Sequence, residues 1–339
     1  MSTADPPSAA EPLPAVLAID GGGSKTDVAL VAEDGTLLCR VRGPATSAAA
    51  RNLDASLSVL GDLITDAQRR AGRGGNPVAR HTSACLADAD LPEEEEQLAR
   101  ALRAKGWSLT THAANDTFAV LRAGTTQGWG VAVTCGSGIN CVGVAPDGRT
   151  TRFLAFGQVT GDWGGGDHLA KEIMWWAMRA EDGRGARTAL REAVVAHFRA
   201  VRVRDVAVRY HFGRISPEGL AQLTHVLFQV AAAGDPVARS LVTRQAEEVI
   251  LMAATAMRRL GLLEADTDVV LGGGILASRD PLLVSEIKAR LGRAAPHAIP
   301  RFASLPPIAG AALLGLDHVQ ASAAAQQRLR GAFADEPAG

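Results

Sequence analysis

Along this chain the period of the apolar positions switches repeatedly between that of strands and that of helices. Val16-Leu17-Ala18-Ile19 and Asp27-Val28-Ala29-Leu30-Val31 are two apolar runs separated by a glycine cluster, with Asp34-Gly35 following. They predict a strand, a glycine turn and a return strand. Leu37 to Val41 predicts a third strand. Leu53, Leu57, Leu60 and Ile64 then recur at helical spacing as far as Gly72. Arg80 to Leu86 and Trp107 to Thr111 predict two more strands. Between them Pro92 opens a helix whose first turn holds Glu93 to Glu96, acids that suit the positive end of the helix dipole. Asn115-Asp116-Thr117 leads into a further helix through Phe118, Leu121 and Arg122.

The opening pattern then recurs. Val131 to Thr134, Cys135-Gly136-Ser137-Gly138, Asn140 to Val144 and Asp147-Gly148 match Leu17 to Asp20, Gly21 to Ser24, Asp27 to Val31 and Asp34-Gly35, with a one-residue gap. The simplest cause is two domains of like topology, each offering a glycine hairpin; the alternative is coincidence between two hairpins. Two such hairpins across a cleft grip one polyphosphate from both sides. Gly161-Asp162-Trp163-Gly164-Gly165-Gly166 precedes a helix from Asp167. Arg179 to Arg214 is rich in arginine and histidine, but Leu190, Val194 and Phe198 interleave at helical spacing, which predicts a solvated helical surface. Ser216 to Ala233 and Asp235 to Leu260 predict two helices. Asp268 to Ile275 is a buried-type strand running into three glycines, Pro306-Pro307 opens a helix over Ile308 to Gly315, and Gln320 to Phe333 predicts a last one.

Composition narrows the classes. At 339 residues the chain has material for two cores, and 47% hydrophobic residues exclude disorder as its main state. A net charge of −1 removes the electrostatic case for nucleic acid or an anionic membrane, and no apolar segment reaches membrane-spanning length. Met1 to Pro14, rich in proline, alanine and acid, reads as a frayed tail without the basic flank of a signal peptide. Cys39, Cys85, Cys135 and Cys141 form no C-x-x-C pair, so reduced thiols in the cytoplasm are expected.

The chemistry concentrates at Asp20-Gly21-Gly22-Gly23-Ser24-Lys25-Thr26. Three glycines let backbone N–H groups approach an anion, and Ser24, Lys25 and Thr26 add polar donors. Asp20 is placed to hold a hydrated divalent cation. Walker A is excluded because Ser24 stands where glycine must precede Lys-Ser/Thr; the dinucleotide fingerprint is excluded because a strand, not a helix, follows. By residue type alone, Asn115-Asp116-Thr117 is a helix cap. Gly272 to Gly274 is either a turn needing positive φ or a bare backbone for a flat ligand.

Together these motifs resemble the sugar kinases of the actin-like superfamily, and most closely the N-acetylglucosamine kinases grouped with the ATPase activators of benzoyl-CoA reductase. Asp20 to Thr26 matches the first phosphate motif, Cys135 to Cys141 the second, Leu271 to Ile275 the adenosine motif, Pro307 to Gly315 the connector helix, and Gly161-Asp162 a substrate-loop signature. The resemblance implies an α/β fold of two ribonuclease-H-like domains with an interdomain cleft. Its expected bounds are 15–117, completed by a helix over 318–335, and 118–317, after a tail over 1–14. It implies Asp116 as catalytic base, Asp20 for Mg2+, and Gly21, Gly22, Gly23, Ser24, Lys25, Thr26, Gly136, Ser137, Gly138, Gly272, Gly273 and Gly274 for ATP. Ser47, Asn115, Asn140, Asp162 and Trp163 are implied on the substrate side, Trp163 by stacking on a sugar face. The expected activity is transfer of the γ-phosphate of ATP to a hydroxyl, the 6-OH, of a hexosamine by a cytoplasmic homodimer. Two departures fall on the substrate side: Ala45-Thr46-Ser47-Ala48 replaces Ser-Thr-Asn, and Gly161-Asp162-Trp163-Gly164 replaces Gly-Asp-Glu-Gly. A cyclitol or other modified sugar is therefore an alternative acceptor. Another alternative is an ATPase serving an electron-transfer partner, but that needs cysteine ligands for an iron–sulfur cluster. A sugar-sensing regulator needs a DNA-binding segment for which the stretch before Val16 is short.

Overall fold

The computed structural model describes residues 12–46 and 52–335, so Ser47 and the tail residues 1–11 lie outside the described residues. By contacts the chain divides into two units, residues 1–119 with 305–339, and residues 120–304.

The first unit is built on a five-stranded sheet in the order β3-β2-β1-β4-β5. Its strands are β1 (Val16–Gly21), β2 (Thr26–Val31), β3 (Leu37–Gly43), β4 (Ala79–Leu86) and β5 (Ser108–Asn115). β1 runs antiparallel to β2 and parallel to β4. The unbroken apolar runs arise because β1 and β2 are covered on both faces. Leu17, Ile19, Val28 and Leu30 join the core beneath the helices Leu53–Arg70 and Pro92–Ala104, while Val16, Ala18, Ala29 and Val31 join the opposite core with Ile308 and Leu313. That second core contains the helix Pro307–His318, although the bounds implied by the resemblance place it in the second domain. Its small residues explain the placement: side-chain-free Gly315 lies against Val16, and Gly310 against the backbone of Ala119. The last helix, Ala323–Ala334, adds Leu329 and Phe333 to the same face.

The second unit repeats the frame. Its strands are β6 (Gly130–Cys135), β7 (Ile139–Val144), β8 (Thr150–Arg152), β9 (Thr267–Gly272) and β10 (Ala298–Phe302), in the order β10-β9-β6-β7-β8. Numbered within each unit, both sheets read third-second-first-fourth-fifth, so the sequence repeat is one of topology. β8 and β10 escape sequence reading because one spans only three residues and neither has a buried residue. The arginine-rich stretch folds as the helices Leu190–His197 and Val203–His211, with Leu190, Val194, Val203 and Val206 buried. The segment expected as one helix over 216–233 is two, Pro217–Ala221 and Leu223–Ala232, and Leu220 and Leu223 on either side of the break are both buried. The long helix Pro236–Leu260 starts where Asp235 accepts the Ala238 N–H at 2.8 Å and ends at Gly261 in the left-handed region.

Candidate active site

In the first unit the β1–β2 register pairs Asp20 with Asp27 and Gly21 with Thr26, leaving residues 22–25 as the hairpin loop. The Gly22 N–H donates to the Lys25 carbonyl at 3.0 Å and closes the turn. Gly23, Ser24 and Lys25 are exposed at its tip. Thr26 is not: it is buried, with its hydroxyl 2.8 Å from that of Thr46, so its side chain ties the hairpin to the loop after β3 and is turned away from any anion at the tip. Asp27 is also buried and is neutralised by Arg40 at 3.2 Å and Arg42 at 3.0 Å. Asp20 stands at the strand end, where burial, then the neighbouring Asp116 and Asp27 carboxylates, push its pKa up to about 8 against the pull of Lys25 and Arg40.

Asp116 follows β5 directly and is the first residue of the helix Asp116–Gly124. Asn115 is the cap: buried, its Oδ1 accepts the Thr117 N–H at 2.9 Å and its Nδ2 donates to Asp90 at 2.9 Å. Both ends of its side chain therefore serve the fold, and the expected substrate contact by Asn115 is not supported. The Asp116 carboxylate accepts from the Thr117 hydroxyl at 3.4 Å and remains partly exposed. Burial raises its pKa to about 6, opposed by the Thr117 hydroxyl and assisted by Asp88. The registers bring these groups to one edge of the sheet, with Asp20 opposite Cys85 on β4 and Leu86 opposite Asn115 on β5.

Asp88 was not picked out from sequence. It holds a backbone φ of 63°, a strained value for any residue with a side chain, and lines a cavity of about 380 Å³ with Gly22, Gly23, Thr46 and Asn52. The available signal was an aspartate two residues beyond a buried strand that points at the glycine hairpin.

In the second unit the pairs Thr134–Asn140 and Cys135–Ile139 leave residues 136–138 as the loop, one fewer than in the first hairpin; this is the one-residue gap of the repeat. The Gly136 N–H donates to Gly138 at 3.0 Å. Asn140 turns its Oδ1 onto the Cys141 N–H at 2.7 Å. Gly273 has φ 84°, and a Cβ there would stand 2.5 Å from the Cys135 backbone, so the turn reading of this glycine cluster holds structurally. Gly274 opens a short helix, Gly274–Ala277, with clear space around it.

The loop 161–166 packs directly on this hairpin. Gly166 N–H donates to Gly136 O at 2.7 Å and Asp167 N–H to Ser137 O at 3.0 Å, so the hairpin carbonyls cap the helix Gly166–Asp182. Beside them lies a cavity of about 380 Å³ lined by Ser137, Gly138, Asp162, Asp167, Lys171 and Glu172, among others. Asp162 is steadied by the Thr160 hydroxyl at 2.6 Å and the Gly157 N–H at 3.1 Å. Burial raises the pKa of Asp167 and lowers that of His168, which faces Glu172 at 3.6 Å. Trp163 departs from expectation. It is 6% exposed, its ring is covered by the Arg244 guanidinium at 4.3 Å and meets His168 edge-on at 4.9 Å, so no face is left for a sugar. A large ring in a glycine loop is better accommodated in the core than at the wet rim.

A profile of the BadF/BadG/BcrA/BcrD ATPase family matches residues 17–315. The chain belongs to that family. It is 26% identical over 270 residues to an N-acetylmuramic acid/N-acetylglucosamine kinase of Clostridium acetobutylicum, covering 77% of this chain and 85% of the relative. It is 25% identical over 316 residues to an N-acetyl-D-glucosamine kinase of Dictyostelium discoideum, covering 89% and 97%. A crystal structure from Chromobacterium violaceum, assigned as an N-acetylglucosamine kinase, superposes with a TM-score of 0.70 at 23% identity and covers 89% of this chain and 98% of that one. The architecture is that of the two-domain sugar kinases.

Among the described residues no group of three or more His, Cys, Asp or Glu side chains forms a metal cluster, and no helix is long and apolar enough to cross a membrane. Asp20 nevertheless fits a magnesium ion that keeps most of its water, since its oxygen donors sit among carboxylates whose mutual repulsion a cation relieves.

Proposed function

We propose that this chain is an ATP-dependent kinase that transfers the γ-phosphate to the 6-OH of a hexosamine. The observation that carries the reading is Asp116: it sits at the end of β5, is relieved of the capping role by Asn115, and is pushed by burial to a pKa of about 6. A carboxylate tuned toward the working pH suits a base that takes the acceptor's proton as the phosphoryl group moves. In the first unit, the backbone of residues 21–23 with Ser24 and Lys25 serves the phosphates, and Asp20 serves Mg2+, which neutralises charge developing on them. In the second, residues 136–138 serve the phosphates, Gly274 the adenosine, and Asp162 the sugar hydroxyls. The names of the curated relatives support the acceptor class. Asp162, Asp167 and Glu172 share the second-unit cavity with the Lys171 ammonium, a polar lining that suits sugar hydroxyls.

Four unpaired thiols support a cytoplasmic setting, and the family resemblance supports a homodimer, which sedimentation velocity tests. The partner-ATPase reading finds no support, since Cys85, Cys135 and Cys141 are buried inside their own units. The decisive experiment is a coupled ADP-release assay with glucosamine, N-acetylglucosamine, N-acetylmuramic acid and inositol in parallel. Turnover only with the hexosamines is expected; turnover with none of them overturns the reading.

A further inference from the structure

Gln245 lies in the middle of the helix Pro236–Leu260, fully buried. Its Oε1 accepts the Gly165 N–H at 3.1 Å, an N–H that the Cys135 thiol also faces. Its Nε2 is buried without a partner. A buried amide that leaves half its hydrogen-bonding capacity unused is costly, so an apolar residue would serve the core better at this position. The amide is pressed against Gly164: a Cβ on that residue would stand 2.5 Å from Oε1 and 2.7 Å from Nε2. The next residue, Gly165, is equally confined on its other side, because a Cβ there would stand 2.5 Å from the backbone of Gly138. Gly166 and Asp167 then donate to the carbonyls of Gly136 and Ser137. The loop bearing Asp162 is thus clamped between one core side chain and the hairpin bearing Ser137 and Gly138.

We infer that Gln245 is a positioning residue that fixes the Asp162 loop against the 136–138 hairpin, so that the acceptor sugar and the transferred phosphate keep one relative placement. The inference rests on the hexosamine-kinase reading for its consequence, though not for the clamp itself. Gln245 touches no substrate; it acts through Gly164 and Gly165. Losing such a clamp affects transfer more than binding, because displacements near 1 Å cost about 100-fold in rate.

The test compares Gln245→Met, which keeps the volume but removes the acceptor for the Gly165 N–H, with Gln245→Glu, which keeps an acceptor oxygen. Sugar phosphate formed per ADP released is measured together with the KM of glucosamine, and hydrogen exchange follows the amides of 136–138 and 164–167. For Gln245→Met the expected result is a 10- to 100-fold fall in kcat, more ADP released per sugar phosphate, and faster exchange in both segments at once. Gln245→Glu should restore coupling to within about threefold. Wild-type coupling and kcat in Gln245→Met overturn the inference. Should the wild type phosphorylate no hexosamine, the function reading fails by itself, and unchanged exchange at 136–138 in Gln245→Met then overturns the clamp, whereas faster exchange upholds it. If Gln245→Met does not fold, Gln245→Leu takes its place under the same criteria.

Discussion

The two units share one strand order and one hairpin, yet their corresponding strand-end positions carry different residues. At the mouth of the first hairpin Asp20 faces Asp27; at the mouth of the second, Thr134 faces Asn140. Two residues past the fourth strand the first unit has Asp88 and the second Gly274. Directly past the fifth strand stand Asp116 and Ala303. One copy of the frame gathers carboxylates, which suit a proton and a cation. The other presents neutral groups and bare backbone at the same strand-end positions, and its acids, Asp162 and Asp167, come instead from the segment packed on its hairpin. A carboxylate 4 Å from a phosphate oxygen costs between about 1 and 4 kcal/mol, depending on how wet the site is, so an added acid at either hairpin mouth is expected to be felt.

The largest effect is expected where the asymmetry is chemical. Asp116→Asn should lower phosphoryl transfer by about 1,000-fold while leaving nucleotide affinity intact, read by single-turnover kinetics alongside calorimetric titration with an ATP analogue. Turnover within threefold of wild type would show that the carboxylate-rich unit does not hold the base. Next comes a backbone asymmetry. Gly165→Ala combines a φ of 82° with a collision against Gly138 and should destabilise the protein by about 3 kcal/mol, whereas Gly136→Ala, with open space around it, should leave the melting temperature within about 2 °C. Equal losses in the two variants would mean that the 164–166 loop is not wedged on the hairpin.

A smaller effect should follow from making the two units alike. Thr134→Asp brings to the second hairpin the acid found on the first and should weaken ATP binding by about 2 kcal/mol, the loss shrinking as salt rises. No change in Kd would separate that hairpin from the phosphates. The mildest test is pH. Because the Asp116 pKa is raised to about 6, its basic form is lost below that value, so kcat/KM should fall at least tenfold per unit as pH drops below 6. A profile flat from pH 5 to 8 would be incompatible with Asp116 acting as base in the free enzyme.

Much of the frame was legible in the residues because β1, β2, β6 and β9 are buried strands whose near-continuous apolar runs differ from helical spacing. The repeat was legible for the same reason, together with its glycines. β8 and β10 were not, since three half-wet residues and an exposed edge leave no period to read. Among the candidate site residues, Asp20 was singled out by type and place and Asp116 only through the family resemblance, while Thr26, Asn115 and Trp163 were expected at ligands and instead pair with Thr46, Asp90 and Arg244. Residue type states what a side chain is able to bond. It does not state which bonding partner arrives first.

Most of the elements, the duplicated hairpin and the glycine-rich stretches are thus legible along the chain, because they depend on local periodicity and on the absence of side chains at glycine. The packing of the helix Pro307–His318 in the first unit, the capping of Thr117 by Asn115 and the reach of Gln245 to a loop 80 residues earlier in the chain emerge only in three dimensions. Each of those outcomes depends on burial and on competition for one hydrogen bond between residues far apart in sequence, which no local pattern records.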